Sequence, residues 1–483
     1  MTGATGAASR PGYASGARVV ALVCAGCGTE VRADGPFTPR CPAARPGDDI
    51  DHVLARRLDL ASIELPGDGD PEPFVRYRPM FHAYHLARAA GWSDDRYVDL
   101  VRSLDEAIVR VDGHGFVETP FMLAEGLARR LGPGGPAAVW VKDETGNVGG
   151  SHKARHLMAI LLELRVAEAL GHADPAAPLA IASCGNAALA AAVVARAAAR
   201  ELRVFVPDAA DQEVVERLRI LGADVVVCPR VPGLTGDPSV LALDEALAAG
   251  AVPFTCQGDR NGFAIEGGAT LAWEMADASR TFGAVLDRVV VQVGGGAFAS
   301  SVALGLEEAA ALGRLDRVPR LDTVQTRGGW PLARAWERVV ADLGVSPGVP
   351  VPREDVDAAL VDVARHRSRY MWPWETEPRS VAHGILDDET YDWLAAVRAM
   401  LATGGRPVVA DEPTLLEANR LGVTVTGIPA DETGTAGLAG LMRLARDGHV
   451  RPDETVAVIF SGIRRTDSPA AGGRPLDQSA ASR

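Results

Sequence analysis

The sequence predicts an α/β protein built on open, twisted, mostly parallel sheets with flanking helices. From residue 138 onward, short apolar runs alternate with longer Ala- and Leu-rich periodic stretches, which is typical of parallel strands joined by covering helices. Several of these runs end in a glycine-containing turn that opens the next helix, so we expect ligand sites at the carboxyl ends of the strands. A cysteine-containing segment ahead of this region predicts a small zinc-ribbon-like module.

Hydrophobic periodicity predicts seven strands and six helices in the α/β region. The strands are expected at 138–142, 179–183, 202–206, 224–228, 289–293, 322–326 and 455–460. The helices are expected at 155–170, 186–199, 211–221, 264–278, 298–312 and 331–342. Upstream, residues 73–78 are expected to be extended, and helical patterns occur around 80–91 and 95–110.

With 483 residues, the chain is long enough for two or three domains. The expected units are a disordered tail (1–17), a zinc-ribbon-like segment (18–60), a large domain (61–147 with 262–465), a small α/β domain (148–261) and a second disordered tail (466–483).

Charge and composition exclude some partners. The formal net charge of −14 disfavours nucleic acid and anionic membranes, because both require a basic face. No apolar run is long enough to span a bilayer. The six cysteines show no framework of paired spacings, which indicates reduced thiols and predicts a cytoplasmic protein.

Lys153 lies in a glycine-rich turn between a predicted strand and a predicted helix. An apolar segment follows directly, so we expect the amine to face a cleft, where partial desolvation favours the nucleophilic form that Schiff-base chemistry requires. The GxxxxGK[ST] spacing of a nucleotide-binding P-loop is missing. A helix-capping turn is the structural alternative.

Three further turns carry polar groups suited to a phosphorylated ligand. Ser183-Cys184-Gly185-Asn186 combines small residues with a directed amide, although an ordinary Asn cap is the alternative. Gly294-Gly295-Gly296-Ala297 leaves several backbone N–H groups free to bind a phosphate. Ser461 places a hydroxyl at the end of a buried strand. A serine at such a position usually serves as a cap or a turn residue, which is the structural alternative. With Lys153, these turns supply what pyridoxal phosphate (PLP) requires: an amine, a phosphate site, and partners for the ring hydroxyl and ring nitrogen.

Cys24, Cys27 and Cys41 form an incomplete zinc signature. Two thiolates three residues apart on a tight turn suit tetrahedral zinc, but the expected fourth cysteine position holds Ala44. His52 or Asp48 could complete the set, and a degenerate ribbon that has lost its metal is the alternative.

The order of these motifs resembles the fold type II PLP-dependent enzymes (the tryptophan synthase β-like superfamily), with threonine synthases nearest. The run Glu144–Arg155 is similar to the family pattern E-x-x-N-P-T-G-S-F-K-D-R, and the run Asn261–Glu274 is similar to N-x-x-R-I-E-G-Q-K-T-x-A-x-E. The resemblance covers about residues 70–465. It implies that Lys153 holds PLP as an aldimine, that Asn186 bonds the ring hydroxyl, that Gly294 to Ala297 hold the phosphate, and that Ser461 bonds the ring nitrogen.

The same resemblance implies an amino-acid substrate bound at Ser183 to Asn186, β- or γ-elimination or replacement chemistry, and a homodimer. Ala187 and Ala154 depart from the family pattern, so a threonine-synthase-type reaction, a serine/threonine dehydratase and a cysteine-synthase-like β-replacement all stay open. A PLP-binding regulator without turnover and a zinc-ribbon interaction protein are the remaining alternatives. Trp372 and Trp374 are expected either to floor a substrate pocket or to cover a dimer contact.

Overall fold

Three sheets form the framework of the protein in its computed structural model, which describes residues 19–32, 35–67, 69–230 and 237–465. The predicted disordered tails, 1–17 and 466–483, lie outside the described residues. The strands of the described part are, in chain order, β1 (Val19–Cys24), β2 (Glu30–Val31), β3 (Leu54–Leu58), β4 (Phe121–Leu123), β5 (Ala138–Asp143), β6 (Leu179–Ala182), β7 (Leu202–Pro207), β8 (Asp224–Cys228), β9 (Val252–Pro253), β10 (Arg288–Gln292), β11 (Arg320–Thr326), β12 (Pro407–Ala410) and β13 (Thr455–Phe460).

Helices connect and cover these strands. The α-helices are α1 (Pro73–Arg76), α2 (His82–Ala89), α3 (Asp94–Asp112), α4 (Glu125–Arg130), α5 (Lys153–Ala169), α6 (Asn186–Ala197), α7 (Gln212–Ile220), α8 (Pro238–Ala248), α9 (Phe263–Phe282), α10 (Ala297–Ala311), α11 (Pro331–Leu343), α12 (Arg353–Ala364), α13 (Trp393–Thr403), α14 (Glu412–Thr426) and α15 (Ala436–Arg446). Each predicted strand and helix of the α/β region is present, with ends within about four residues of the prediction.

The larger sheet has six strands in the order β12-β11-β10-β13-β5-β4. Neighbouring strands run parallel from β12 to β5, and β4 pairs antiparallel with β5 at the edge. The smaller sheet has the order β8-β7-β6-β9, and its pairs are parallel. The predicted α/β class with mostly parallel sheets is therefore confirmed.

Helices α5 and α9 form the centre of the largest hydrophobic core. They are buried around most of their circumference, which fits helices packed between other layers rather than on a surface. A Cβ on Gly267 of α9 would lie 2.1 Å from the carbonyl oxygen of Arg155 in α5. Because no side chain fits there, the two helices pack backbone to backbone and hold the start of α5 in place.

The N-terminal strands form a third sheet, antiparallel, in the order β2-β1-β3. This sheet is anchored to the rest of the protein by Arg56 of β3, whose buried guanidinium pairs with Glu266 of α9 and Glu308 of α10 at 2.8 Å each. A Cβ on Gly262, just before α9, would lie 2.3 Å from the carbonyl oxygen of Leu54. The small sheet is thus packed directly against the main core.

The extended conformation predicted for residues 73–78 is wrong, because the segment begins with helix α1. Glu72 caps this helix by accepting a hydrogen bond from the Val75 N–H at 2.5 Å, and Pro73 occupies the first turn, where its missing N–H costs nothing. Strand β12 and helices α12 to α15 are elements that periodicity did not predict. Helix α14 ends in Val423-Thr424-Val425-Thr426, a β-branched run that tertiary packing holds in a helix.

Among the described helices, none combines the length and the apolar character that crossing a bilayer requires.

Candidate active site

Three of the predicted turns meet because their strands are neighbours in the larger sheet. Strands β10, β13 and β5 lie side by side and run parallel, so their carboxyl ends open on the same edge. The triglycine turn follows β10, Ser461 follows β13, and the lysine turn follows β5. The Ser461 carbonyl accepts a hydrogen bond from the His152 N–H at 3.1 Å, which joins two of these turns directly.

The lysine turn is bent by two glycines and ends at the first residue of α5. Gly149 and Gly150 have φ angles of 65° and 71°, a region that favours glycine. A Cβ on Gly150 would lie 2.6 Å from Cγ2 of Ile463, so the segment after Ser461 passes directly over the turn. Lys153 is half-buried at the helix start. Only two lysines, Lys142 and this one, occur among the 483 residues.

A buried ionic network lies beneath the lysine turn. Arg155 donates to Glu144 at 2.8 Å and to Glu274 at 2.6 Å, and Lys142 donates to Glu274 at 2.5 Å. The four side chains are fully buried, and their two positive and two negative charges balance. Burial by itself would raise the pKa of Glu274, but Arg155 and Lys142 outweigh it and hold this pKa below its usual value. Asn147 joins the network by donating to Glu144 at 2.8 Å, which ties the turn to it.

Two buried histidines flank the lysine. The His152 ring stacks on Phe298 of α10 with 3.9 Å between ring centroids, so the residue before Lys153 touches the helix that follows the triglycine turn. The imidazole of His156 hydrogen-bonds through Nδ1 to the Ala264 carbonyl at 2.9 Å. Burial and the charge of Lys153 lower the pKa of both rings, that of His156 to about 3. Both imidazoles are therefore neutral near pH 7.

The triglycine turn packs against an acidic side chain. A Cβ on Gly294 would lie 2.4 Å from Oδ2 of Asp387, and a Cβ on Gly295 would lie 3.6 Å from the same oxygen. Gly296 has a φ of 95° and begins the 15-residue helix α10, so its backbone supplies N–H groups at a helix start. Burial raises the pKa of Asp387 to about 6, and the positive charge of Lys153 limits the rise. The turn has the donors that a phosphate requires.

Ser461 is buried and has one defined partner. Its hydroxyl oxygen accepts a hydrogen bond from Gln292 Nε2 at 2.7 Å, and the same nitrogen faces the carbonyls of Gly434 and Ile459 at 2.9 and 3.1 Å. Because carbonyls only accept, they require the nitrogen of Gln292 at this position rather than its oxygen. The hydroxyl of Ser461 therefore keeps its own hydrogen for another acceptor.

Asn186 begins helix α6 and approaches the end of β13. Its Oδ1 accepts from Arg465 at 3.0 Å, and a Cβ on Gly462 would lie 3.0 Å from its Nδ2. A guanidinium only donates, so the amide oxygen faces Arg465 and the amide nitrogen faces the Ser461–Gly462 segment. Within the loop before it, Ser183 accepts from the Gly185 N–H at 3.4 Å, and Cys184 is exposed to solvent.

The predicted zinc signature also comes together in space, far from the lysine in sequence. It comprises Cys24, Cys27 and Cys41, and His52 lies beside them. One donor atom from each of the four residues can be chosen so that all lie within 4.8 Å of one another. Cys27 Sγ and Cys41 Sγ are 3.6 Å apart, and Cys24 Sγ and His52 Nδ1 are 3.4 Å apart. The other ring nitrogen of His52 bonds to Asp48 at 3.1 Å. Of the two residues predicted as a fourth ligand, His52 thus joins the thiols and Asp48 orients it.

Trp372 and Trp374 stack around a single arginine, Arg334. The Arg334 guanidinium carbon lies 3.7 Å from the centroid of the Trp372 ring and 5.0 Å from that of Trp374. Trp330 adds an edge contact to Trp374 at 5.0 Å. The two tryptophans form a cation–π cluster with Arg334.

Several residues at the site were not predicted from the sequence. Gln292 is the last residue of an apolar strand, Asp387 lies more than ninety residues after the Gly294 that it faces, and Arg465 contacts Asn186 from 279 residues away. A polar residue at the end of a buried strand was the available signal for Gln292. Asp387 offered no comparable local signal. The roles assigned to Lys153, Asn186, Ser461 and the triglycine turn stay predictions.

An α/β protein with a lysine turn and a glycine turn at the ends of nearby parallel strands belongs to a recognisable class. The family model "Pyridoxal-phosphate dependent enzyme" matches residues 114–462, which is most of the chain. The chain therefore belongs to the family of pyridoxal-phosphate dependent enzymes, as its motifs predicted.

Curated relatives of the chain include enzymes of more than one reaction type. A threonine synthase of Mycobacterium bovis is 25% identical over 355 residues, covering 73% of this chain and 83% of that protein. A threonine synthase of Methanocaldococcus jannaschii is 25% identical over 211 residues, and the match spans 44% of each protein, less than half the length of that relative. Cysteine synthase B of Salmonella typhimurium is 32% identical over 120 residues, covering 25% of this chain and 37% of that protein.

Solved structures share the fold. The processed form of threonine deaminase isoform 2 from Solanum lycopersicum has a TM-score of 0.53 and 17% identity, covering 79% of this chain and 95% of that chain. Diaminopropionate ammonia lyase from Escherichia coli matches with a TM-score of 0.54 and 18% identity, covering 76% of this chain and 88% of that chain.

Proposed function

We propose that this chain catalyses β- or γ-elimination or replacement on an amino acid, with PLP bound covalently at Lys153. The observation that carries the proposal is the meeting of the lysine turn, the triglycine turn and Ser461 at the ends of three adjacent parallel strands. A threonine-synthase-like lyase is the form that the curated relatives favour. A dehydratase, a cysteine-synthase-like β-replacement enzyme and a PLP-binding regulator without turnover are the alternatives.

The residues present fit the cofactor. Gly294, Gly295, Gly296 and Ala297 would hold the phosphate with their N–H groups, a role supported by their position at the start of the 15-residue helix α10. The Ser461 hydroxyl would donate to the ring nitrogen, since Gln292 occupies its acceptor side. The Asn186 amide nitrogen would donate to the ring hydroxyl.

Bound PLP supplies an aldehyde for the lysine amine and a pyridine ring that takes up electron density from the substrate Cα. Lys153 Nζ, once released, would take the Cα proton. The loop from Ser183 to Asn186 would bind the substrate carboxylate at the start of α6. A neutral hydroxyl at the ring nitrogen restrains how far charge is delocalised, which favours loss of a β- or γ-substituent over transamination. We place this activity in a cytoplasmic homodimer.

Lysine content supports Lys153 as the attachment site. The chain contains 49 lysines and arginines, of which two are lysines, so 47 are arginines. An arginine stays charged and cannot form an imine, whereas a lysine amine can act both as a nucleophile and as a base. Lys142 is bonded to Glu274 in the buried network, which leaves Lys153 as the lysine whose amine is not engaged in an ion pair among the described residues.

Reductive trapping tests the attachment site directly. Full-length protein incubated with PLP should develop a visible absorbance band that borohydride bleaches, and peptide mapping should place the added mass on the peptide containing Lys153. Lys153→Ala should abolish the band, and Lys153→Arg, which keeps the charge, should abolish it equally. A colourless protein that ignores PLP, or label on Lys142, would end the proposal. Screening amino acids for released ammonia, phosphate or keto acid would then identify the reaction.

We also propose that Cys24, Cys27, Cys41 and His52 bind a structural zinc ion. Ligand atoms of a tetrahedral zinc site with Zn–S bonds near 2.3 Å lie roughly 3.8 Å apart. The 3.6 Å and 3.4 Å separations found here are close to that spacing, and the carboxylate behind His52 is the usual support of a zinc-bound imidazole. Metal analysis should find about one zinc per chain in the wild type and none in Cys41→Ser, with Cys228→Ser, a buried thiol elsewhere, as the control.

A further inference from the structure

The cysteine cluster is connected to the triglycine turn by a short series of buried contacts. The connection begins at Asp51, which precedes His52. A Cβ on Gly26, inside the Cys24–Cys27 turn, would lie 2.2 Å from the Asp51 carbonyl oxygen, so the metal-binding turn rests on the backbone of Asp51. The N–H of Ala25 donates to the Val53 carbonyl at 2.8 Å, which fixes the same turn on the other side of His52.

Asp51 carries the connection into the main body of the protein. Its carboxylate is buried and accepts a hydrogen bond from the indole N–H of Trp393 at 3.1 Å. Arg367 Nε lies 3.4 Å from the same oxygen. Trp393 is the first residue of α13 and is fully buried, so its indole cannot satisfy its N–H elsewhere without moving the helix start.

Asp392, the residue before Trp393, contacts the triglycine turn. Its backbone N–H donates to the Gly295 carbonyl at 2.9 Å, and its carboxylate accepts from the Gly258 N–H at 3.0 Å. A Cβ on Gly296 would lie 2.8 Å from Cγ2 of Thr390, so the segment also packs closely on the turn. The position of the residues 390–393 therefore determines the shape of the triglycine turn.

The cysteine cluster has little packing of its own to hold it in place. Its buried core comprises Cys24, Cys41 and Leu54, with few partly buried neighbours. The strands β1 and β3 are held on the main core through Leu22 and Arg56, whereas the turns that carry the cysteines have only this small cluster, so a bound metal would supply much of the free energy that holds those turns together. Loss of the metal would release the Cys24–Cys27 turn from the Asp51 carbonyl and leave Asp51 held on one side, by the bond from its N–H to the Ala364 carbonyl at 2.8 Å and by its contacts with Trp393 and Arg367.

We infer that the zinc-binding segment maintains the phosphate-binding turn through Asp51 and Trp393, so that zinc occupancy sets the affinity for the cofactor. This inference rests on the proposed roles of the triglycine turn and of the four metal ligands. Asp51 and Trp393 are then positioning residues: they contact neither the metal nor the cofactor, and they act by fixing the backbone of Asp392 against Gly295.

The test measures zinc content and the PLP dissociation constant on full-length variants. Cys41→Ser should lose zinc and bind PLP about tenfold more weakly. Trp393→Phe removes the indole N–H but keeps an aromatic ring; it should keep zinc and still bind PLP roughly fivefold to tenfold more weakly, the effect of one buried hydrogen bond. Trp336→Phe is the matched control, because Trp336 lies in the same core and its indole N–H has no hydrogen-bond partner among the described residues. It should leave both quantities unchanged.

Each outcome separates the inference from the proposals on which it rests. Zinc-free Cys41→Ser that binds PLP with wild-type affinity would overturn the inference, as would Trp393→Phe that behaves like Trp336→Phe. Wild-type protein that contains zinc but does not bind PLP would overturn the proposed enzymatic function instead. Wild-type protein that binds PLP but holds no zinc would overturn the metal site, and the inference with it.

Discussion

Glu274 offers the sharpest test of how the lysine turn is held in place. The side chain is fully buried and accepts hydrogen bonds from Arg155 at 2.6 Å and from Lys142 at 2.5 Å. Glu274→Gln preserves the shape of the side chain but removes one negative charge. The network then holds two positive charges and one negative charge, so one buried cation is left without compensation.

Breaking a buried ion pair by removing one partner costs about 3–5 kcal/mol. We expect Glu274→Gln to lower the free energy of unfolding by about that amount, because the desolvated ammonium of Lys142 loses its carboxylate. The matched control is Glu118→Gln: Glu118 also pairs with an arginine, Arg76, at 2.8 Å, but its side chain is 37% exposed. A pair of this kind is worth about 1 kcal/mol or less.

Urea unfolding measures the difference as a shift of the midpoint at constant slope. The double variant Lys142→Met/Glu274→Gln restores neutrality, since Arg155 and Glu144 remain as one pair, and it should recover part of the loss. Two results would refute the reasoning: Glu274→Gln within about 1 kcal/mol of the wild type, or a double variant less stable than Glu274→Gln alone.

Three further predictions concern the site itself. Asp387→Asn should tighten PLP binding several-fold at pH 8 and have little effect at pH 5, because a carboxyl with a pKa of about 6 repels a phosphate only when it is ionised. Cofactor fluorescence measures the PLP dissociation constant at each pH. An equal effect at both pH values would contradict this prediction. Burial and Lys153 hold the pKa of His156 near 3, below the roughly 6.5 of a histidine in the unfolded chain. The neutral His156 ring therefore contributes its full stabilisation above about pH 6.5. That contribution to the free energy of unfolding declines by about 1.4 kcal/mol per pH unit as the pH falls toward 3. His156→Gln should reduce that slope by the equivalent of one proton, as urea titrations at several pH values would show. Ser461→Ala should lower turnover by roughly tenfold to a hundredfold, and Ser461→Thr, which keeps the hydroxyl, should recover most of it; an alanine variant with full turnover would remove Ser461 from the reaction.

Local sequence predicted those parts of the site that are formed by consecutive residues. Lys153, the triglycine turn and Ser461 each stand where a buried strand ends, and alternation of strands with helices is enough to predict that parallel strands open on one edge. The order of β10, β13 and β5 was not predictable in this way, because β13 reaches its place only after more than a hundred residues of intervening chain. The close packing of the three turns depends on that order.

Partners that are distant in sequence could not be predicted. Glu144, Arg155 and Glu274 were recognised as motif residues, yet nothing local showed that they balance one another or that Lys142 joins them. The extended conformation expected for residues 73–78 failed for a related reason: apolar and aromatic residues favour strands on average, whereas the Glu72 cap and Pro73 start a helix. His52 was one of two possible ligands until the fold brought it beside Cys24.

The distribution of charge around Lys153 fits the role proposed for its amine. Arg155, Lys142, Glu144 and Glu274 neutralise one another below the turn, and both neighbouring imidazoles are kept uncharged by burial and by Lys153 itself. What faces the proposed cofactor is then a hydroxyl, an amide and backbone N–H groups, none of which changes charge near neutral pH. In the proposed reaction, proton transfer at the substrate would fall to Lys153, and Asp387, whose pKa is about 6, would respond to pH beside the triglycine turn.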